Sequence, residues 1–437
     1  MLTPFFPLSL FFLLLTGFFK KDLRGWYIIF GEIILGGSGN YLALIGISLR
    51  TSLLIVAIII YGLNYFKEDW RELKTDRFFF YSTLIILSLL LISSLAAING
   101  YLHNNNPTRI VSDLIPYTYL LYFFPLRRLL TDQNFVGQIT KLVPAAIVGY
   151  SIIFIFTFLG FSLGLFQVHN LYYWWWRDVV LGKATDLGFN FYRLVLDLHL
   201  ILVPITIYYV NKVIEKQTKK IDYYILALLL VTLAINLTRV YYLAFAIGLV
   251  FLARKLNWKR WLVVSASSLA FIFLAFTTIH LTTSFGKSLG WEIFGLRIQS
   301  IAKPNLEESS LSRMILLPKI WEKIKSHPII GEGLGSTVTA FSPVAKATIT
   351  TPHFDWGYLE IWTEVGLIGL LLWLVLLIFI AYLLRQNKNS SCWLSILVTL
   401  LVINLTSPAL FHVLGILLLV YLLASALASK TKLTHAS

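Results

Sequence analysis

The chain has a single cysteine, Cys392, among its 437 residues, which excludes an intrachain disulfide. Charge is scarce as well: 13% of the residues are charged and 58% are hydrophobic, whereas a soluble domain is about a quarter charged. Polar helix faces are lacking. The stretch 261–279, WLVVSASSLAFIFLAFTTI, shows almost none, and a soluble core of this size would need them. Acidic residues are the rarer sign, 21 against 36 basic, so the net charge is +15. These cations lie in short connections between apolar runs rather than in a soluble basic domain, which speaks against nucleic acid as a partner. His103, His169, His199, His280, His327 and His412 show no ligand spacing, so no metal and no cofactor is expected. Met1 to Phe19 lacks a basic n-region and an A-x-A cleavage site, and is expected to be a retained first helix.

What the chain has in abundance is apolar sequence in blocks of about 20 residues, the length a bilayer core demands of a helix. Spans are expected at 4–19, 41–66, 78–99, 110–130, 141–164, 191–210, 222–237, 240–253, 261–279, 357–384, 392–406 and 409–428. The fold class is therefore all-α, a polytopic transmembrane helical bundle of 12 spans, or 13 if the apolar segment 26–38 crosses. That segment carries Glu32 and three glycines. Connections 67–77, 127–141, 212–220, 254–260 and 385–388 and the tail at 430–432 together hold 19 Lys and Arg. The opposite connections hold few, mainly Arg109, Arg177, Lys183 and Arg239. The positive-inside rule makes the first set cytoplasmic. Residues 165–190 and 280–356 are then extracytoplasmic, and the C-terminus is inside. Lys20, Lys21 and Arg24 fit 13 spans with the N-terminus outside. Arg50, deep within span 41–66, must face protein or a cavity rather than lipid.

Two outer segments differ from ordinary linkers. Residues 169–178 read HNLYYWWWRD. Such a run suits either an aromatic anchor at the headgroups or a stacking platform for sugar rings. Residues 280–356 form one large loop, a length that calls for structure of its own. Within it, 309–326 (SSLSRMILLPKIWEKIKS) places Met314, Leu317, Ile320, Trp321 and Ile324 on one helical face, with Glu322, Lys323 and Lys325 opposite. Ser309 or Ser310 is the expected cap, Pro318 is expected to kink or break the helix, and the helix can lie along the membrane surface. The Pro/Gly-rich HPIIGEGLGS ends it.

Three pieces of sequence occur in an order that resembles one family. A span ends in an arginine and a second span follows, LLLVTLAINLTRVYYLAFAIGLVFL, with Arg239. An arginine-led loop helix ends in a Pro/Gly turn, SRMILLPKIWEKIKSHPIIGEGLGS, with Arg313. The chain then re-enters the membrane through PHFDWGYLEIWTEVGLIGLLLWLVLL. Together they are similar to the O-antigen ligase and O-antigen polymerase superfamily of bacterial envelope glycosyltransferases. The organisation that follows is an N-terminal transmembrane region 1–221, a ligase-like core 222–384 including loop 280–356, and C-terminal helices with a cytoplasmic tail, 385–437. The ligase branch has His-Asn directly before the re-entry, three residues ahead of an aromatic-Leu-Glu. Here Tyr358-Leu359-Glu360 puts Asp355 at that place, with His353 two residues earlier.

The resemblance implies transfer of a glycan from a polyprenyl-pyrophosphate-linked oligosaccharide to an acceptor hydroxyl, on another glycan or on a lipid core, at the outer face of the inner (plasma) membrane. Pyrophosphate is a good leaving group, so cations can replace a metal in stabilising the charge that develops. Arginine suits this because its fork pairs with two phosphate oxygens and stays charged. Arg239 and Arg313 are the expected pyrophosphate ligands, with Arg193 as a third cation. His353 or Asp355 is the expected base. Glu360 and Glu364, costly in an apolar helix unless paired or at its N-terminus, are expected to orient the arginines. Neither outer segment contains Asp-x-Asp, which argues against a metal-dependent nucleotide-sugar transferase. The competing reading is a polysaccharide or lipid-linked oligosaccharide transporter, which would work through inverted repeats and interrupted helices. No repeat relates the two halves.

Overall fold

A chain this apolar must satisfy its backbone hydrogen bonds internally, and it does so almost wholly with helices. The computed structural model describes residues 43, 44 and 47–434 except 168, 169, 197, 254–256, 304–306, 343–345, 353 and 388. The expected span 4–19 and the segment 26–38 lie outside the described residues.

In chain order the elements are β1 (Ala43–Leu44), β2 (Ile47–Ser48), α1 (Leu49–Thr75), α2 (Arg77–Leu102), α3 (Pro107–Thr118), α4 (Phe123–Leu129), α5 (Gln133–Ser162) and α6 (Leu171–Asp178). There follow β3 (Lys183–Asp186), β4 (Tyr192–Val195), α7 (His199–Ile214), α8 (Lys220–Asn236), α9 (Arg239–Leu252), α10 (Trp258–Thr283), α11 (Trp291–Ala302) and α12 (Glu308–Ser326). Last come β5 (Val338–Ser342), β6 (Ala347–Thr351), α13 (Gly357–Arg385), α14 (Ser390–Ile403) and α15 (Val413–Thr434). The strands form three antiparallel two-stranded sheets among the described residues. By length and composition α1, α2, α5, α10 and α13 can each cross a membrane. The apolar helices α7, α9, α14 and α15 are shorter. A helix of 14 residues such as α9 is only about 21 Å long at 1.5 Å per residue.

Several expected boundaries move, each for a local reason. The run 110–130 is not one helix but α3, a 3-10 turn at Tyr119–Tyr122, and α4, because Pro116 and Pro125 each remove a helical donor. The run 191–210 begins as a strand: β4 pairs with β3, Thr185 opposite Arg193, and the turn between them holds Gly188, Phe189 and Asn190 at positive φ. Arg50 sits in the first turn of α1 rather than deep within it, 3% exposed. The helix α12 starts after Glu307 rather than at a serine cap, and it runs continuously through Pro318. Its buried face is Leu316, Ile320 and Ile324, while Met314 and Trp321 are exposed.

The chain divides into two compact units. The first comprises Met1–Phe66, Phe124–Glu292 and Ser391–Thr399. Its centre is α8, which packs against α5, α7, α10 and β4. The Trp261 indole donates to the Leu249 carbonyl at 2.7 Å, tying α10 to α9, and Ser395 Oγ donates to Gly248 O at 2.6 Å.

The second unit comprises Lys67–Phe123, Ile293–Ser390 and Leu400–Ser437. Its centre is α13, against which α2, α12 and α15 pack. This helix breaks at Gly366, φ +72. The turn after α12 fills the break. Glu332 N–H donates to Thr363 O at 2.7 Å and Gly333 N–H to Glu364 O at 3.1 Å. Leu367 N–H donates to Pro328 O at 3.0 Å and Ile368 N–H to Ile329 O at 3.3 Å. On its other side Leu334 N–H donates to Ala96 O at 3.0 Å, and the Asn99 amide donates to Gly331 O at 2.9 Å. HPIIGEGLGS is therefore more than a helix stop: it is wedged between α2 and α13. Only glycine fits this approach. A Cβ on Gly333, φ +98, would lie 2.1 Å from the Gly100 nitrogen, and one on Gly366 would lie 2.2 Å from Ile329 O.

Gly333→Ala and Gly366→Ala are expected to cost about 2 kcal/mol or more each, from left-handed strain plus a backbone clash. Thermal unfolding in detergent should show both losses, while Gly62→Ala, inside α1 where nothing lies within 4 Å, holds or raises the midpoint.

Candidate active site

In the second unit the exit of the long loop is anchored from three sides. Phe354 is fully buried in a cluster with Leu316, Ile320, Ile324, Val338 and Ala340, so the turn is nailed to α12 and β5. Its N–H donates to Glu360 Oε2 at 3.3 Å. Two residues on, the Trp356 indole donates to the Arg313 carbonyl at 3.3 Å. Asp355, caught between these anchors, takes φ +56. That conformation costs most non-glycine residues about 1–2 kcal/mol, aspartate less than most, and its neighbours fix it.

The strain aims the side chain. Asp355 Oδ2 lies 3.5 Å from Arg313 Nε, the side chains 43% and 25% exposed. A pair this open contributes only about 0–1 kcal/mol, so its meaning is geometric: it sets a carboxylate beside a guanidinium. Arg313 Nε is buried and makes no hydrogen bond within the usual range, so the Asp355 carboxylate at 3.5 Å is the anion it faces. Of the residues expected from sequence, the fold thus brings together Arg313, Asp355 and, through the Phe354 amide, Glu360. His353 lies outside the described residues.

Of the polar residues around the wedged turn, Glu332 and Asp113 were not expected from the sequence, whereas Glu364 was. Glu332 pairs with Lys323 and accepts from Ser336 Oγ at 2.8 Å. Asp113 accepts from Gly335 N–H at 3.0 Å. Glu364 is 1% exposed and its Oε2 has no hydrogen-bond partner. The only signal for Glu332 in the sequence was a carboxylate set between two glycines. Among the described residues no group of three or more His, Cys, Asp or Glu side chains is arranged to hold a metal ion.

The other two arginines belong to the first unit. Arg239 is the first residue of α9 and follows its N-cap, Thr238. Helix N-termini present unpaired N–H groups and partial positive charge, which favour an anion. Arg193, on β4, donates from Nη2 to Thr238 Oγ1 at 3.3 Å, so it reaches the residue beside Arg239. The tryptophan run is divided by α6: Trp176 is fully buried, while Trp174 and Trp175 are exposed. Arg177 lies 4.1 Å over the Trp174 ring.

Residues 224–374 match the protein family described as O-antigen ligase. The match takes in Arg239, Arg313, Asp355 and Glu360, while Arg193 lies before it. No curated protein matches the chain.

Glu360→Leu leaves the buried Phe354 N–H without an acceptor, and the loss of one such bond is expected to speed amide exchange at 352–357 about tenfold. Hydrogen–deuterium exchange reads this directly. Glu360→Gln, which keeps an acceptor oxygen, should stay slow, and equal rates in the two variants would mean that Phe354 packing alone holds the turn.

Proposed function

We infer from the match of residues 224–374 to the family described as O-antigen ligase that this helical membrane protein is a membrane glycosyltransferase using a polyprenyl-pyrophosphate-linked oligosaccharide as donor. The acceptor hydroxyl attacks the anomeric carbon from the face opposite the pyrophosphate. The C–O bond to pyrophosphate breaks as the new glycosidic bond forms, so the centre inverts and polyprenyl pyrophosphate leaves. His353 or Asp355 takes the hydroxyl proton. Arg193, Arg239 and Arg313 offset the charge that develops on the leaving group, and no metal takes part.

The observation that carries this reading is the placement of Arg313 beside Asp355, at 3.5 Å, on a turn held in a strained conformation. Strain kept at a half-open carboxylate has a use in chemistry that a solvated loop would not need. The proposed setting is the inner membrane, crossed 12 or 13 times, with the reaction on the extracytoplasmic side.

One observation favours a second reading, transport of the same lipid-linked glycan. The helix α13 is interrupted at Gly366, next to the buried Glu364, and interrupted helices are a habit of transporters. Purified protein with lipid-linked oligosaccharide separates the two. Longer chains mark a polymerase and a new conjugate marks a ligase, and neither requires a sealed vesicle. Arg239→Ala, Arg313→Ala and the His353/Asp355 double change should each lower turnover by about 100-fold or more, and chelators should leave the wild-type rate intact. Turnover that survives all three changes would sink the enzyme reading. Movement of the glycan across proteoliposomes without transfer would establish transport.

A further inference from the structure

The two arginines of the first unit stand on elements that share one buried side chain. Asn236, fully buried, is the last residue of α8. Its Nδ2 donates to the Leu194 carbonyl of β4 at 3.0 Å and to His199 Nδ1 of α7 at 2.8 Å. Its Oδ1 accepts from Thr238 N–H at 3.2 Å. His199, also fully buried, accepts at the same Nδ1 from Leu196 N–H at 3.0 Å. The ring is held by Phe154, edge to face at 4.7 Å.

These bonds fix one another. A backbone N–H cannot reverse, so Leu196 makes Nδ1 an acceptor and puts the imidazole proton on Nε2. The Asn236 amide must then turn its NH₂ toward the ring. The same NH₂ suits the Leu194 carbonyl, and the oxygen is left for the Thr238 N–H. Reversing the amide would set oxygen against oxygen at Leu194 and NH₂ against N–H at Thr238. Amide orientation and tautomer are therefore both determined by the surrounding backbone. A buried amide bonded on both sides, to strand and to helix, makes a rigid and specific polar node inside an apolar bundle.

Each strand of the node borders an arginine. Leu194 follows Arg193 and Thr238 precedes Arg239. Between Asn236 and Thr238, Leu237 takes φ +50, a turn the Asn236–Thr238 bond closes. We propose that Asn236 and His199 are positioning residues that hold Arg193 and Arg239 in one register, so that both guanidinium groups meet the two phosphates of a lipid pyrophosphate. This rests on the proposed reading of those arginines as pyrophosphate ligands.

The probe is farnesyl pyrophosphate, titrated into purified full-length protein in detergent. Arg239→Ala and Arg193→Ala are expected to weaken its binding. Asn236→Asp keeps an acceptor for Thr238 but sets a second oxygen against the Leu194 carbonyl and His199 Nδ1. It should weaken binding about tenfold or more, as misplacement of a binding group by a fraction of an ångström does. His199→Leu should do the same, while His199→Asn, which returns an acceptor near the Nδ1 position, should recover binding to within about threefold. In turnover the loss should fall mainly on KM for the lipid-linked donor. If Asn236→Asp does not fold, the His199→Asn and His199→Leu pair decides. Near wild-type binding by Asn236→Asp and His199→Leu, with Arg239→Ala defective, would overturn the positioning role alone. Undiminished binding by both arginine variants would overturn the pyrophosphate assignment itself, and the positioning role with it.

Discussion

A helix that breaks in apolar surroundings releases carbonyls and N–H groups that no water is there to pair, at a cost of several kcal/mol each. At Gly366 this constraint governs the second unit. The groups freed in α13 are taken up by residues 328–333, and those residues are held in turn by α2 through Ala96 and Asn99. The break is therefore less a defect than a socket. It explains why a Pro/Gly-rich stretch follows the loop helix, why three of its glycines, Gly331, Gly333 and Gly335, have positive φ, and why α12 must end where it does.

From that socket the geometry of the loop exit follows. With the end of α12 tied to α13, its apolar face at Leu316, Ile320 and Ile324 has one place to pack, and Phe354 fills it. Packing of this kind is worth a few kcal/mol per large side chain. That is enough to hold Asp355 in an unfavourable conformation, which the weak, half-open pair with Arg313 could not do. Apolar burial supplies the rigidity, and the charged groups are left open to a ligand. The first unit solves a similar problem differently. There a buried amide and imidazole, rather than a hydrophobic cluster, join the strand and the helix that carry Arg193 and Arg239. Both arrangements pre-organise charge before a ligand arrives, the condition under which electrostatic stabilisation is most effective.

How far the sequence could be read depended on the range of the interaction concerned. Apolar blocks reported the long helices α1, α2, α5, α10 and α13 well, because a bilayer-length hydrophobic run has few other uses. Apolar runs interrupted by turn-formers form shorter elements than their length suggests. Pro116 and Pro125 divide 110–130, and Gly188 lets β4 fold back on β3, so Arg193 stands on a strand. Pro318 does not break α12: the helix runs on through it, because the buried face on either side pins α12 down. The amphipathic face of α12 was placed a residue or so off, since periodicity cannot tell which of several apolar residues meets a partner.

The sequence by itself determined the class of molecule, the gathering of its cations in one set of connections, the presence of an arginine-led helix in one large loop, and the resemblance of 222–384 to the O-antigen ligase and polymerase superfamily. These depend on composition and on residues close together in the chain. Tertiary structure alone decided that α13 is broken and filled by 328–333, that Asp355 meets Arg313 across 42 residues, and that Asn236 joins Leu194, His199 and Thr238. Apart from the Asn236–Thr238 bond, each of those contacts pairs a donor with an acceptor far away in sequence. No local pattern marks which carbonyl or carboxylate a buried N–H will find, so the partner is fixed only when packing brings the elements together.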